Sequence, residues 1–337
     1  MTQFDYIKEI ARYGLANDNS RLLETLYKLI EYSQKTNKGN FALQLQAIIK
    51  EAQKKSTRNN QQLRQLNQLL GDNEIDNLII QNLISSFKLH DLICTDIVKK
   101  ELEYFIKERQ SNIVLKDLNI PLSNKIIFYG PSGCGKTLAA YVLAGELQKS
   151  LTVVNLGAIV SSKLGETSKN LTKIFKKAAY EGAIIFFDEF DSLGKIRDYD
   201  QDHGEMKRVV NTILQLFDFL TQDSIVIAAT NQIQMIDEAL IRRFDLSIKL
   251  DYPQTNQITT LVDNTLKNGQ FIFDNKKLKN ETIKKCRNIS YYVIKKTLFT
   301  AIKRTVLDNT HREKIINTEV WAELINNELA NLENAHS

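Results

Sequence analysis

Eight residues constrain this chain more than any others: Gly130–Thr137, GPSGCGKT, set between the apolar run Lys125–Tyr129 (KIIFY) and the helical pattern Lys136–Gln148. The pattern G-x-x-x-x-G-K-[ST] works only as the turn from a strand into a helix. Gly130 and Gly135 permit a tight backbone whose amides face an anion. The first turn of the following helix adds unpaired N–H groups and the positive end of its dipole. Lys136 can reach terminal phosphates as a point charge, and Thr137 can place its hydroxyl on Mg²⁺. Pro131, Ser132, Gly133 and Leu138 complete the predicted phosphate-binding segment. Cys134 fills a variable position, where a small inert side chain or a redox-sensitive thiol would fit.

The same form of strand recurs downstream. Leu151–Asn155 (LTVVN), Ala183–Phe187 (AIIFF), Ser224–Ala229 (SIVIAA) and Leu246–Leu250 (LSIKL) are short apolar runs, separated by helical patterns at 167–180, 205–220 and 237–242. Strands alternating with helices imply a parallel sheet covered on both faces. From Asp251 onward the pattern is helical again. Before residue 130 the chain holds only Gly14, Gly39 and Gly71. Leu22, Leu26, Leu29 and Ile30 recur at helical spacing, as do Ile75, Ile79, Leu83 and Phe87, so this region reads as all-α. The predicted plan is a helical N-terminal region (1–87, assigned to partner recruitment), an α/β domain (88–250) and a small helical domain (251–337).

Composition narrows the class without naming it. At 43% apolar and 25% charged residues, the 337-residue chain is neither collagen-like nor wholly disordered. A net charge of +5 permits nucleic-acid contact without arguing for it. No apolar run approaches the ~18 residues of a membrane span, and the first twenty residues carry Asp5, Lys8, Glu9, Arg12 and Asp18, unlike a signal peptide. Three widely spaced cysteines and four scattered histidines form no disulfide framework or metal-ligand pattern, so a reduced, cytoplasmic compartment is expected.

A second motif belongs with the phosphate loop. Residues 184–189 read IIFFDE, a buried strand ending in adjacent acids. Asp188 at the strand end is suited to hold Mg²⁺ through its water shell, and Glu189 to polarise an attacking water. Lys136 and Asp188 lie 52 residues apart, room for one further strand and two helices.

Taken together, GPSGCGKT, IIFFDEFDSL and IAATNQ followed by ALIRRFD resemble the AAA+ ATPases, and within them the group that includes katanin, spastin and the AAA proteases. The resemblance covers roughly residues 89–329. It implies a P-loop NTPase fold: a five-stranded parallel sheet with a C-terminal helical lid, ATP and Mg²⁺ between the two, and hydrolysis of ATP. Asn231 matches the family's polar sensor, and its place at a strand's carboxyl end fits that role. Arg242 and Arg243 resemble arginine fingers that reach a neighbouring subunit's ATP, although many members separate the two with Pro-Gly. For Arg242 a surface salt bridge is the competing reading. Ile93 falls where the family walls the adenine, and Ser290–Tyr292 shows no lid arginine.

Lys163 and Leu164, in SSKLGE, resemble the pore loop of protein-threading members, with Lys163 where an aromatic usually stands. The family likeness implies a homo-oligomeric ring, a hexamer, that remodels or unfolds a protein substrate or effector, with no membrane partner. The competing functions are a nucleic-acid-linked ATPase (a loader or defence component) and a nucleotide-switched adaptor for a separately encoded effector or protease.

Overall fold

The computed structural model describes residues 79–156, 166–195, 203–308 and 314–336, with eleven residues between 6 and 32. The chain divides into two units, Met1–Asp72 and Asn73–Ser337. In the first, the described residues are helical. Leu29 and Ile30 are buried there, and the rings of Tyr6 and Tyr32 lie 5.7 Å apart.

The second unit is built on a six-stranded sheet in the order β1-β3-β4-β5-β2-β6. Its strands are β1 (Ile79–Ile84), β2 (Lys125–Tyr129), β3 (Ser150–Val154), β4 (Ile184–Phe187), β5 (Ile225–Thr230) and β6 (Leu246–Lys249). From β3 to β6 all neighbours are parallel, which is the expected five-stranded core. β4 and β5 are buried along their whole length, because helices cover both faces. On one face α1 (Asp96–Gln110) and α3 (Lys136–Leu147) bring Leu102, Phe105, Val142 and Leu143 against Ile126, Phe128, Phe186 and Ile227. On the other, Phe187 meets Phe175 of α4 (Glu166–Glu181), and Phe175 meets Phe217 of α6 (His203–Asp218). Between them in sequence lie the short α2 (Asn112–Asp117) and α5 (Ser192–Lys195).

β1 corrects the all-α reading of residues 1–87. It pairs antiparallel with β3, Leu83 opposite Leu151, and forms the edge of the sheet. The four-residue spacing of Ile79 and Leu83 is helical in form, but in the strand only Leu83 packs against the main core, while a register shift between Ile79 and Gln81 sets Ile79 opposite Val154. The segment after β1 packs on α3: Lys88 Nζ donates to the Gly145 carbonyl (2.7 Å) and Leu89 N to Glu146 Oε1 (2.7 Å).

After β5 the short α7 (Glu238–Ile241) leads into β6. Asp245 Oδ2 accepts from the backbone N–H groups of Asn124 (2.8 Å) and Lys125 (2.9 Å), fixing this turn to the amino end of β2. The lid follows: α8 (Thr255–Gly269), β7 (Ile272–Phe273), α9 (Lys276–Lys285), α10 (Tyr291–Asp308), β8 (Ile315–Ile316) and α11 (Thr318–His336). Its core closes around the fully buried Trp321, whose Nε1 donates to Thr297 Oγ1 (3.3 Å). No helix among the described residues is long and apolar enough to cross a membrane.

Candidate nucleotide site

The phosphate loop leaves β2 beside β6, and glycine is required where it does so. Gly130 has φ +139°, and a β-carbon there would sit 2.1 Å from the Leu250 carbonyl oxygen. Leu250 N donates to Tyr129 O (2.8 Å), so that oxygen cannot withdraw cheaply. Gly133, at φ +72°, lets the lid approach: a β-carbon would meet Ser290 Oγ at 2.7 Å and Tyr292 Cβ at 2.9 Å. Tyr292 N donates to the Gly133 carbonyl (3.2 Å).

Loop and lid enclose a cleft of about 430 Å³. Ser132, Gly133, Cys134, Gly135, Lys136, Thr137 and Leu138 line it, as do Ile93, Asp188, Glu189 and Asn231. Gly130 and Pro131 lie behind, and their carbonyls accept from Lys136 Nζ at 2.8 and 2.7 Å. Burial pulls the Lys136 ammonium below its ordinary range, while Cys134, Asp188 and Asp191 oppose that shift. Cys134 is 2% exposed, and burial pushes its thiol up to about 11. That environment suits an inert packing residue better than a reactive thiolate.

Thr137 and Asp188 meet across a separation of 51 positions: Thr137 Oγ1 donates to Asp188 Oδ2 at 2.9 Å. The second carboxylate oxygen accepts from Glu189 N (3.0 Å). Glu189 is exposed to the cleft and has φ +51°, a conformation uncommon for a residue with a β-carbon. Asn231 follows β5 and is exposed on the same side. The loop glycines, a buried ammonium and a bonded hydroxyl–carboxylate pair fit a nucleotide triphosphate with Mg²⁺, whose remaining ligands are ordinarily water and phosphate oxygens.

Arg242 and Arg243 do not line the cleft. They stand at the amino end of β6, which runs parallel to β2, whereas the phosphate loop leaves the carboxyl end of β2. At about 3.3 Å per residue, the five residues of β2 separate them from their own loop by about 15 Å. Arg242 pairs with Glu238 and Arg243 with Asp218, both at the surface. Lys163 and Leu164 lie outside the described residues.

Sequence reasoning missed the lid's side of the cleft: Leu261, Tyr291, Tyr292 and Lys295. Tyr291 also packs against the lid core, and burial, with the thiols of Cys94 and Cys134 nearby, raises its phenol above the usual range. Asp191, within the quoted IIFFDEFDSL, was missed as well.

Residues 126–252 match the family model described as "ATPase family associated with various cellular activities (AAA)". An uncharacterised AAA family ATPase of Sinorhizobium fredii is 36% identical over 185 residues, covering 55% of this chain and 56% of its own. A protein of Methanocaldococcus jannaschii, named as a 26S proteasome regulatory subunit homolog, is 31% identical over 159 residues, 44% of this chain and 43% of its own. The chain thus spans about half the length of the curated relatives it matches. The crystal structure of the FIGL-1 AAA domain superposes with a TM-score of 0.61 over 75% of this chain and 86% of that one, at 19% identity, and so shares the fold. Residues 126–252 therefore form an AAA ATPase domain.

Proposed function

We propose that the chain binds Mg²⁺-ATP in this cleft, hydrolyses it, and uses the cycle to remodel or unfold a protein partner. The observation that carries the reading is the 2.9 Å bond between Thr137 and Asp188, with Glu189 and Asn231 on the same rim. It brings a phosphate loop and a strand-end acid pair into one site. Thr137 and Asp188 would hold Mg²⁺, which supplies charge compensation on the phosphate oxygens. Lys136 gives up its two carbonyl bonds for the β- and γ-phosphates. Glu189 takes a proton from the attacking water, and Asn231 orients that water or the γ-phosphate. Ile93, Leu261 and Tyr291 offer the apolar surface for a base.

The site is completed by a second protomer in this reading. Arg243, too far from its own cleft, reaches the γ-phosphate of a neighbour in a homo-oligomeric ring of six, and Arg242 supports it. The named relative in Methanocaldococcus jannaschii favours protein as the substrate class. The free thiols Cys94, Cys134 and Cys286 suit a reduced, cytoplasmic compartment.

Mixing Arg243→Ala with Glu189→Gln protein tests the shared site. Each alone should be inactive, and mixed assemblies should regain partial activity at interfaces that pair an intact Glu189 with an intact Arg243. No recovery despite proven subunit mixing would argue against an arginine acting across the interface.

A further inference from the structure

Asp191 is 1% exposed, three residues beyond Asp188, and has no part in the chemistry above. A carboxylate in that position loses its hydration and needs hydrogen bonds in return. Asp191 Oδ1 accepts from Thr230 Oγ1 (3.0 Å) and from Asn231 N (3.3 Å). Thr230 Oγ1 also accepts from Gln232 N (3.0 Å), so the turn that carries Asn231 closes onto the same hydroxyl. One residue earlier, Phe190 N donates to the Ala229 carbonyl (2.8 Å). Consecutive residues of the loop after β4 are therefore bonded to consecutive residues at the end of β5.

Glu189 precedes these bonds, in its left-handed conformation. Such a conformation persists where the surroundings over-determine it. Here Asp188 Oδ1 holds the Glu189 amide on one side, and the bonds of residues 190 and 191 hold the chain on the other. We propose that Asp191 is a positioning residue that ties the turn carrying Glu189 to the turn carrying Asn231, so that the base and the amide hold one spacing across the γ-phosphate. The inference rests on the reading of Glu189 and Asn231 given above. The side chain acts through its acceptor oxygen, not by touching the nucleotide.

The test compares Asp191→Ala, Asp191→Asn and Glu189→Gln in the full chain, by steady-state ATP hydrolysis and by the affinity of a fluorescent ATP analogue. Asp191→Ala should leave nucleotide affinity and KM within about threefold and lower kcat by about 10²-fold, the scale of a small misplacement of reacting groups. Asp191→Asn keeps an acceptor oxygen and should restore kcat to within about fivefold of wild type. Because that variant preserves the bonds, it remains informative even if Asp191→Ala does not fold. Wild-type kcat in Asp191→Ala, with Glu189→Gln inactive, would overturn the proposal alone. So would an Asp191→Asn protein that folds and binds nucleotide but is as slow as Glu189→Gln. Wild-type hydrolysis by Glu189→Gln would instead remove the reading beneath it.

Discussion

Gly145→Ala gives a test in which two ordinary effects oppose each other in sign. Gly145 is buried in α3, and in a helix interior alanine is favoured over glycine by about 1 kcal/mol. On propensity alone the substitution should stabilise. The structure predicts the opposite, because a β-carbon at 145 would lie 2.0 Å from the Phe87 carbonyl oxygen, 3.1 Å from its carbon and 3.2 Å from the Ser85 oxygen. All three are backbone atoms, and two bonds hold the segment in place: Lys88 to Gly145 and Leu89 to Glu146. Forcing a methyl into such a contact costs about 1–3 kcal/mol. Set against the helix gain, a net loss of up to about 2 kcal/mol is expected. Urea unfolding should show a lower midpoint with an unchanged slope. Hydrogen exchange should accelerate at residues 79–89, with little change in the lid. A gain of about 1 kcal/mol would refute the reasoning, since it would mean that residues 85–88 do not lie against α3.

The same packing predicts where the ATPase unit begins. A chain of residues 73–337 should fold and bind ATP, whereas one starting at 88 loses β1 and should have a lower Tm or precipitate; equal Tm values would contradict the pairing of β1 with β3. Lys136→Ala should abolish binding of a fluorescent ATP analogue while leaving the far-ultraviolet circular dichroism unchanged. Cys134 should alkylate slowly: with its thiol raised from 9.0 to about 11, the thiolate fraction at pH 8 is about a hundredfold lower than for the unshifted group. Its labelling by iodoacetamide, followed by mass spectrometry, should rise as pH approaches 11, and rapid labelling at pH 8 would contradict the burial.

Four of the parallel strands, β2 to β5, were legible because each is a short apolar run buried along most of its length and set between helical patterns. The Thr137–Asp188 pair was legible because a phosphate loop calls for an acid at the carboxyl end of another strand of the sheet, here β4, two places from β2. β1 was not, since its Ile79–Leu83 spacing reads as a helical turn, a register shift between Ile79 and Gln81 breaks the strand alternation, and an edge strand with Ile80 and Ile84 exposed carries no buried run. The lid contribution was hidden for a different reason. Leu261, Tyr291 and Lys295 come together only when two lid helices pack over the loop, and nothing in their local sequence encodes that approach. Asp191 stood inside a motif already quoted, but its partners Thr230 and Asn231 lie about 40 residues further on, and their bonds to it exist only in the folded sheet.

The central claim is that this cleft hydrolyses ATP with Glu189 as the base. The direct measurement is single-turnover hydrolysis of radiolabelled ATP by wild-type and Glu189→Gln protein, with nucleotide affinity determined in parallel. Unchanged affinity and a loss of turnover of at least about 10²-fold are expected in the variant. Hydrolysis by Glu189→Gln at the wild-type rate, with binding intact, would contradict it.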